Sequence, residues 1–263
     1  MKLARILAIS DIHDNIDALR DILYMVNFDM MVLAGDILEL KALEFFRVIS
    51  RIQKHVVMIH GNHDCHLCLD KIAKKLRFVH YIRQGWVNLE IDGEELTILG
   101  VSGIYGKEKV SPLYFEDKHL IRLVSKIQES CTKADIIVSH VPPRYCADFL
   151  PKGGRGGLEQ LLTLMDLCEP KFWISGHTHV LAVEKRMKSV TINCGYGYIG
   201  DFVLIDTKKE KVVISRLFLD VVNAEKDREK DFVFAIRKTK SMRRISKLIA
   251  NSISVLEEDC GSL

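Results

Sequence analysis

Three short apolar runs occupy the first sixty residues, and each ends on a polar turn. Arg5 to Ser10 reads RILAIS, Asp29 to Ala34 reads DMMVLA, and His55 to His60 reads HVVMIH. Runs this short, with little polar alternation, suit strands covered on both faces. Between the first two, Ile16, Leu19, Leu23 and Val26 recur at helical spacing behind a capping residue, Asn15. Leu38 to Gln53 reads as a second amphipathic helix, and a third is expected from about Leu67 to Leu76. Strand, helix, strand with short connections dictates a βαβ framework with right-handed crossovers. In such a sheet the carboxyl ends of the strands line one crevice, and ligands bind there.

The later pattern changes character. Trp86 to Ile91 and Leu96 to Val101 flank Asp92-Gly93, a hairpin signal. A Gly- and Tyr-containing loop from Ser102 to Phe115 precedes a helix expected over residues 118–130 and a strand at Ile136 to Ser139. A loop rich in Pro and Gly follows, Val141 to Gly157, then a helix from Leu158 to Leu167 and a strand at Phe172 to Ser175. Short strands are expected at Val190 to Asn193, Phe202 to Ile205 and Val212 to Leu217, making the second half more antiparallel. Residues 1–220 read as one domain. Residues 221–263 read as a basic amphipathic helical tail, with basic residues at 237, 238, 240, 243, 244 and 247. Met242, Ile245, Ile249, Ile253 and Leu256 give that helix one apolar face. Docking on its own domain or on a second copy of the chain is expected, with anionic lipid or nucleic acid as alternatives.

Composition narrows the class but not the partner. A 48% hydrophobic share excludes a disordered chain. Lys plus Arg number 38 against 35 Asp plus Glu, and a net charge of +3 is too mild for a protein that wraps nucleic acid. No apolar run approaches the ~20 residues that cross a bilayer. The first apolar stretch is cut off by Asp11, His13 and Asp14, so it predicts a buried strand in a cytoplasmic protein rather than a signal peptide. Seven scattered cysteines predict reduced thiols, and the Cys65-x-x-Cys68 spacing reads as incidental.

The chemistry lies beyond the strand ends. Asp11 and His13 follow the first strand, Asp36 the second, and Asn62, His63 and Asp64 the third. His140 follows IIVS, and His177 and His179 follow FWIS. Five segments thereby deliver carboxylate, imidazole and amide oxygen to one crevice. This donor set suits two divalent ions such as Mn²⁺, Fe, Zn²⁺ or Ni²⁺, rather than Ca²⁺ or a thiolate-bound structural zinc. His55, His66, His80 and His119 have no such setting, and His60 reads as strand packing.

The ordered series SDIHDN, GD, GNHD, SH and GHTH resembles the calcineurin-like metallophosphoesterase superfamily, over the chain to about residue 220. The resemblance implies an α/β fold, a four-layer α/β/β/α sandwich of two mixed sheets flanked by helices. It implies that Asp11, His13, Asp36 and His179 hold one metal, and that Asp36, Asn62, His140 and His177 hold the other. His63 is then the catalytic histidine with Asp64 as its partner, and a metal-bridging hydroxide attacks phosphorus. Two departures narrow the subgroup. No Arg follows Asp36, where Ile37, Leu38 and Glu39 stand, unlike the serine/threonine protein phosphatases. Cys194 stands where related small phosphodiesterases carry Pro.

In the loop after His140, Arg144, Lys152 and Arg155 either clamp a second phosphate or stay solvated. Tyr105 and Tyr114 either stack on a base or cover the sheet. Three classes of function compete: a phosphodiesterase or phosphomonoesterase on a small or nucleotide-like substrate, a nuclease, and a non-enzymatic interaction subunit. The presence of His63 argues against the last.

Overall fold

The computed structural model describes residues 5–91, 93–106, 114–130, 133–207, 211–217, 219–221, 231–232 and 236–238. Strands β1 (Arg5–Ile9), β2 (Met30–Ala34), β3 (His55–Ile59) and β4 (Val79–Tyr81) alternate with helices α1 (Ile16–Met25), α2 (Ala42–Ile49) and α3 (His66–Lys75). The hairpin β5 (Gln84–Ile91) and β6 (Glu94–Val101) follows, then short β7 (Ile104–Gly106) and β8 (Tyr114–Glu116), and α4 (Asp117–Ser130). After β9 (Ile136–Ser139) come α5 (Leu162–Cys168), β10 (Phe172–Ser175), β11 (Leu181–Arg186) and β12 (Ser189–Cys194). The last strands are β13 (Asp201–Asp206), β14 (Lys211–Arg216), β15 (Leu219–Val221), β16 (Asp231–Phe232) and β17 (Ile236–Lys238).

Two large mixed sheets stack face to face. One runs β14-β13-β1-β2-β3-β4 and the other β16-β11-β12-β10-β9-β6-β5. Side chains alternate across each strand, so every strand serves two cores. Ile6 and Ala8 of β1 face the second sheet, with Met30 and Val32 of β2, while Leu7 and Ile9 face α1 and α2. In the second sheet, Phe172 and Ile174 face inward, and Trp173 packs outward with Leu120, Leu123 and Leu164 of α4 and α5. The layers are therefore helix, sheet, sheet, helix, as the family resemblance implied.

Some expectations need correction. The second half is more antiparallel than the all-parallel run β1–β4, as expected, but it keeps a parallel centre: β6, β9, β10 and β12 are parallel neighbours, with β5 and β11 running against them. β13 and β14 instead leave that half and extend the first sheet beside β1. Strand β11 escaped the sequence reading because Glu184, Lys185 and Arg186 hide its apolar alternation. Helix α2 begins at Ala42 and not at Leu38, since the preceding amides are bound elsewhere. Ile37 N and Leu38 N donate to Asp64 Oδ1, and Leu40 N donates to Asp14 Oδ2.

Cys65 and Cys68 are joined in a disulfide across the first turn of α3, contrary to the expected reduced, incidental pair. Their 5.2 Å Cα separation falls within the range a disulfide spans. Cys146, Cys168 and Cys194 are free and buried. Cys194 continues β12 opposite Leu181, so its difference from Pro leaves a regular strand end. In the expected tail, β16 pairs with β11 and β17 with β15. The helix expected around Met242 to Leu256 lies outside the described residues. Among the described residues, no helix is long and apolar enough to cross a membrane.

Candidate metal centre

The carboxyl ends of β1, β2 and β3 in one sheet meet those of β9 and β10 in the other. The segments after β1 and β2 are laced together: Asp11 N, His13 N and Asp14 N donate to the carbonyls of Gly35, Asp36 and Ile37. Asp11, His13, Asp14, Asp36, His177 and His179 all hold φ between 45° and 68°. Each such left-handed non-glycine residue costs about 1–3 kcal/mol and persists only where its surroundings over-determine it. Six in one cluster mark a place where side-chain aim outweighs backbone comfort. Gly176 is required here, because a Cβ would collide with Ser10 Oγ and Asp11 Oδ2.

Asp11 is fully buried and central. Its Oδ2 accepts from Ser10 Oγ at 2.5 Å and His177 N at 2.9 Å, and its Oδ1 lies 3.1 Å from His179 Nε2. His13 donates Nδ1–H to Glu39 Oε1 at 2.7 Å. That leaves His13 Nε2 buried and without a hydrogen-bond partner, 3.8 Å from Asp36 Oδ2 and 4.0 Å from Asp11 Oδ1.

A second group sits across Asp36. His140 donates Nδ1–H to the Ala34 carbonyl at 2.9 Å. Its Nε2 then points at Asp36 Oδ2, 3.3 Å away, and at Asn62 Oδ1, 3.2 Å away. The His177 ring meets His140 edge-on at 5.1 Å. Burial raises the Asp36 carboxyl, but His140, the His63 amide and His13 together hold it well below the usual carboxylate range. Burial lowers His140, yet Asp36 and Asp11 outweigh it and raise the ring to about 9. Burial, then His140, pushes His177 down to about 4, leaving a neutral imidazole.

These donors fit cations. With Nδ1–H of His140 committed to Ala34, three lone-pair atoms converge from His140, Asp36 and Asn62, and only a proton or a cation satisfies all three. The orphaned His13 Nε2 beside two carboxylates makes the same demand. Asp11, His13 and His179 form one group able to hold a metal, and Asp11, Asp36 and His140 form another. Asp11 belongs to both groups, while Asp36 Oδ2 lies within 4 Å of both His13 and His140.

A family model for calcineurin-like phosphoesterases matches residues 4–181. The chain belongs to this family. Among solved structures, TT1561 of Thermus thermophilus is similar with a TM-score of 0.67 and 16% identity, over 82% of this chain and 99% of that one. The phosphopantetheinyl hydrolase PptH of Mycobacterium tuberculosis gives 0.50 at 13% identity, over 74% and 90%. An archaeal phosphodiesterase gives 0.47 at 17% identity, over 81% and 99%. At these identities the likeness concerns the fold alone. No curated protein matches the sequence.

As a calcineurin-like phosphoesterase, the chain gathers Asp11, His13, Asp36, Asn62, His140, His177 and His179 in one place, with His63 at the rim. Asp64 and the loop residues Arg144, Lys152 and Arg155 are placed differently. Asp64 does not orient His63: both its oxygens accept from backbone amides, those of Ile37, Leu38 and Gly61, each at 2.7 Å. The carboxylate facing His63 Nδ1 is Glu39, at 3.9 Å. Arg155 is paired rather than solvated: its guanidinium binds Glu184 and Asp148 and lies 3.9 Å over the Phe149 ring. Lys152 is exposed, and Arg144 packs over Tyr145 at 5.3 Å. Tyr105 is buried with its hydroxyl bound to Gln84, so it covers the sheet. The side chain of Tyr114 lies outside the described residues.

Sequence reasoning passed over Glu39, Asp14 and Asn193. Asp14 Oδ1 accepts from Glu39 N at 3.1 Å and from Lys41 N at 3.2 Å, which sets the Glu39 segment against the SDIHDN turn. Asn193 Nδ2 donates to the Gly176 carbonyl and Thr178 Oγ1, bracing the GHTH turn. The available signal was spacing: Asp14 and Glu39 each stand three residues past a site aspartate.

Proposed function

We propose that the protein is a metal-dependent phosphoesterase that hydrolyses phosphodiester or phosphomonoester bonds of a small or nucleotide-like substrate. The convergence of His140 Nε2, Asp36 Oδ2 and Asn62 Oδ1 at the strand ends carries this reading. Asp11, His13, Asp36 and His179 would hold one divalent ion, and Asp36, Asn62, His140 and His177 the other. When bound, such a pair neutralises phosphoryl oxygens and lowers the pKa of a coordinated water from 15.7 to about 7.

The chain's own groups then do two things. Glu39 accepts from His13 Nδ1 and so turns Nε2 toward the centre. His63 sits half-exposed at the rim, its ring edge-on to His13 at 5.3 Å, where it can give a proton to a departing oxygen. A positioned acid of this kind contributes typically about 10²–10⁴-fold. Glu39, 3.9 Å from His63 Nδ1, is the carboxylate that faces this ring.

The test is an assay of metal-reconstituted protein on bis-p-nitrophenyl phosphate, p-nitrophenyl phosphate and single-stranded DNA, with Mn²⁺, Ni²⁺ or Zn²⁺. Turnover of either small ester is expected. Activity on DNA alone would make the protein a nuclease, and silence on all three would make it an interaction subunit using this fold.

A further inference from the structure

On one flank of the centre, three rings lie in layers. His179 stacks on Tyr196 with centroids 4.3 Å apart and planes 13° apart, and Tyr196 stacks on Tyr198 at 5.4 Å and 19°. Exposure is greatest at the outermost ring. Tyr196 is partly buried, and Tyr198 is 46% exposed beside Ile199 at 45%.

The segment carrying these rings is fixed to the centre itself. Gly197 N and Tyr198 N donate to the carbonyls of Ser10 and Asp11, both at 2.9 Å. Asn15 Nδ2 donates to the Tyr198 carbonyl at 2.6 Å, and Tyr196 N donates to Asp201 Oδ2 at 2.9 Å. A Cβ at Gly197 would strike the Ser10 carbonyl, so only glycine lets the segment lie so close to the end of β1. An aromatic side chain is thus presented to solvent on a backbone that is bonded to Asp11. Core packing does not explain it, because Tyr198 keeps nearly half its surface open. Tyr105, by contrast, shows what a tyrosine serving as a cover looks like here.

We propose that Tyr198, backed by Tyr196, is the stacking surface for a planar ring carried by the leaving group, the base of a nucleoside or the ring of an aryl alcohol, on the phosphoester held at the centre. The inference rests on the phosphoesterase reading above and narrows its substrate class. Aromatic rings prefer offset parallel layers, and the Tyr196–Tyr198 pair already sets that orientation for a further ring. Because every base has a π-face, stacking selects ring-bearing leaving groups as a class and not one base. The bonded backbone means that little ordering has to occur on binding.

Two ligands that differ only by a base test this. Adenosine 5′-monophosphate and ribose 5-phosphate are titrated calorimetrically into full-length, Mn²⁺-loaded protein, with inorganic phosphate as reference. The nucleotide is expected to bind about tenfold more tightly than the sugar phosphate. Tyr198→Ala should abolish that preference and Tyr198→Phe should keep it, with unfolding midpoints showing both variants folded. Equal affinities in the wild type, or a preference that survives Tyr198→Ala, overturns the stacking inference while phosphate-ester binding stands. If the nucleotide, the sugar phosphate and inorganic phosphate all fail to bind, the phosphoesterase reading falls and takes the inference with it.

Discussion

Glu39 contacts one imidazole at 2.7 Å and faces a second at 3.9 Å, so one carboxylate serves a metal-facing ring and a rim ring together. Its replacement should therefore show in two measurements. Glu39→Gln is expected to weaken metal binding and turnover by about 10–100-fold, read from a metal titration and from kcat. His63→Ala should behave differently: an unchanged metal isotherm, with turnover lowered about 10²–10⁴-fold, most strongly on esters with a poor leaving group. Asp64→Ala should act on the fold. It strips three buried amides of their acceptor, and urea unfolding is expected to show a loss of about 3 kcal/mol or more. The sequence motif placed Asp64 beside His63 because the two are neighbours in GNHD, but adjacency along a chain says nothing about aim. Asp64 points back under the β2 turn, while Glu39, twenty-five positions earlier, comes forward.

At the scale of elements, most strands and the starts of α1, α3 and α4 were legible, and the start of α2 was not. Short runs such as IIVS and FWIS read as strands because both faces are covered. The start of α2 was hidden because Asp14 and Asp64, side chains remote in sequence, take the amides that a helix would otherwise use. Strand β11 was hidden for a related reason: buried Glu184 looks like a surface residue until Arg155 is seen against it. Arg155→Ala should consequently destabilise the Val141–Gly157 loop by about 2 kcal/mol. That lies below the loss for a fully buried pair, because the guanidinium keeps 26% exposure. Urea titration checks it, with phosphate affinity expected to hold. The Cys65–Cys68 bond predicts that alkylation of denatured, unreduced protein leaves two thiols protected, both mapped by mass spectrometry to the first turn of α3.

For the molecule as a whole, the candidate metal centre is a junction between two sheets, with Asp11 and Asp36 from one and His140, His177 and His179 from the other. Cations held across that junction stabilise only the folded state. At a hundred times the dissociation constant, Mn²⁺ should add about 2.7 kcal/mol to unfolding, reversed by chelator. The four layers were readable from the resemblance of the motifs. The wiring was not, because no local pattern says that β13 will leave its neighbours and return to β1 some two hundred positions back.

That return governs when the molecule can become itself during synthesis. Until β13 emerges from the ribosome, β1 lacks one of its two neighbours, and the strand that carries Asp11 and His13 remains an open edge. The nascent chain therefore displays every one of its metal-binding motifs before it can close the sheet that aims them.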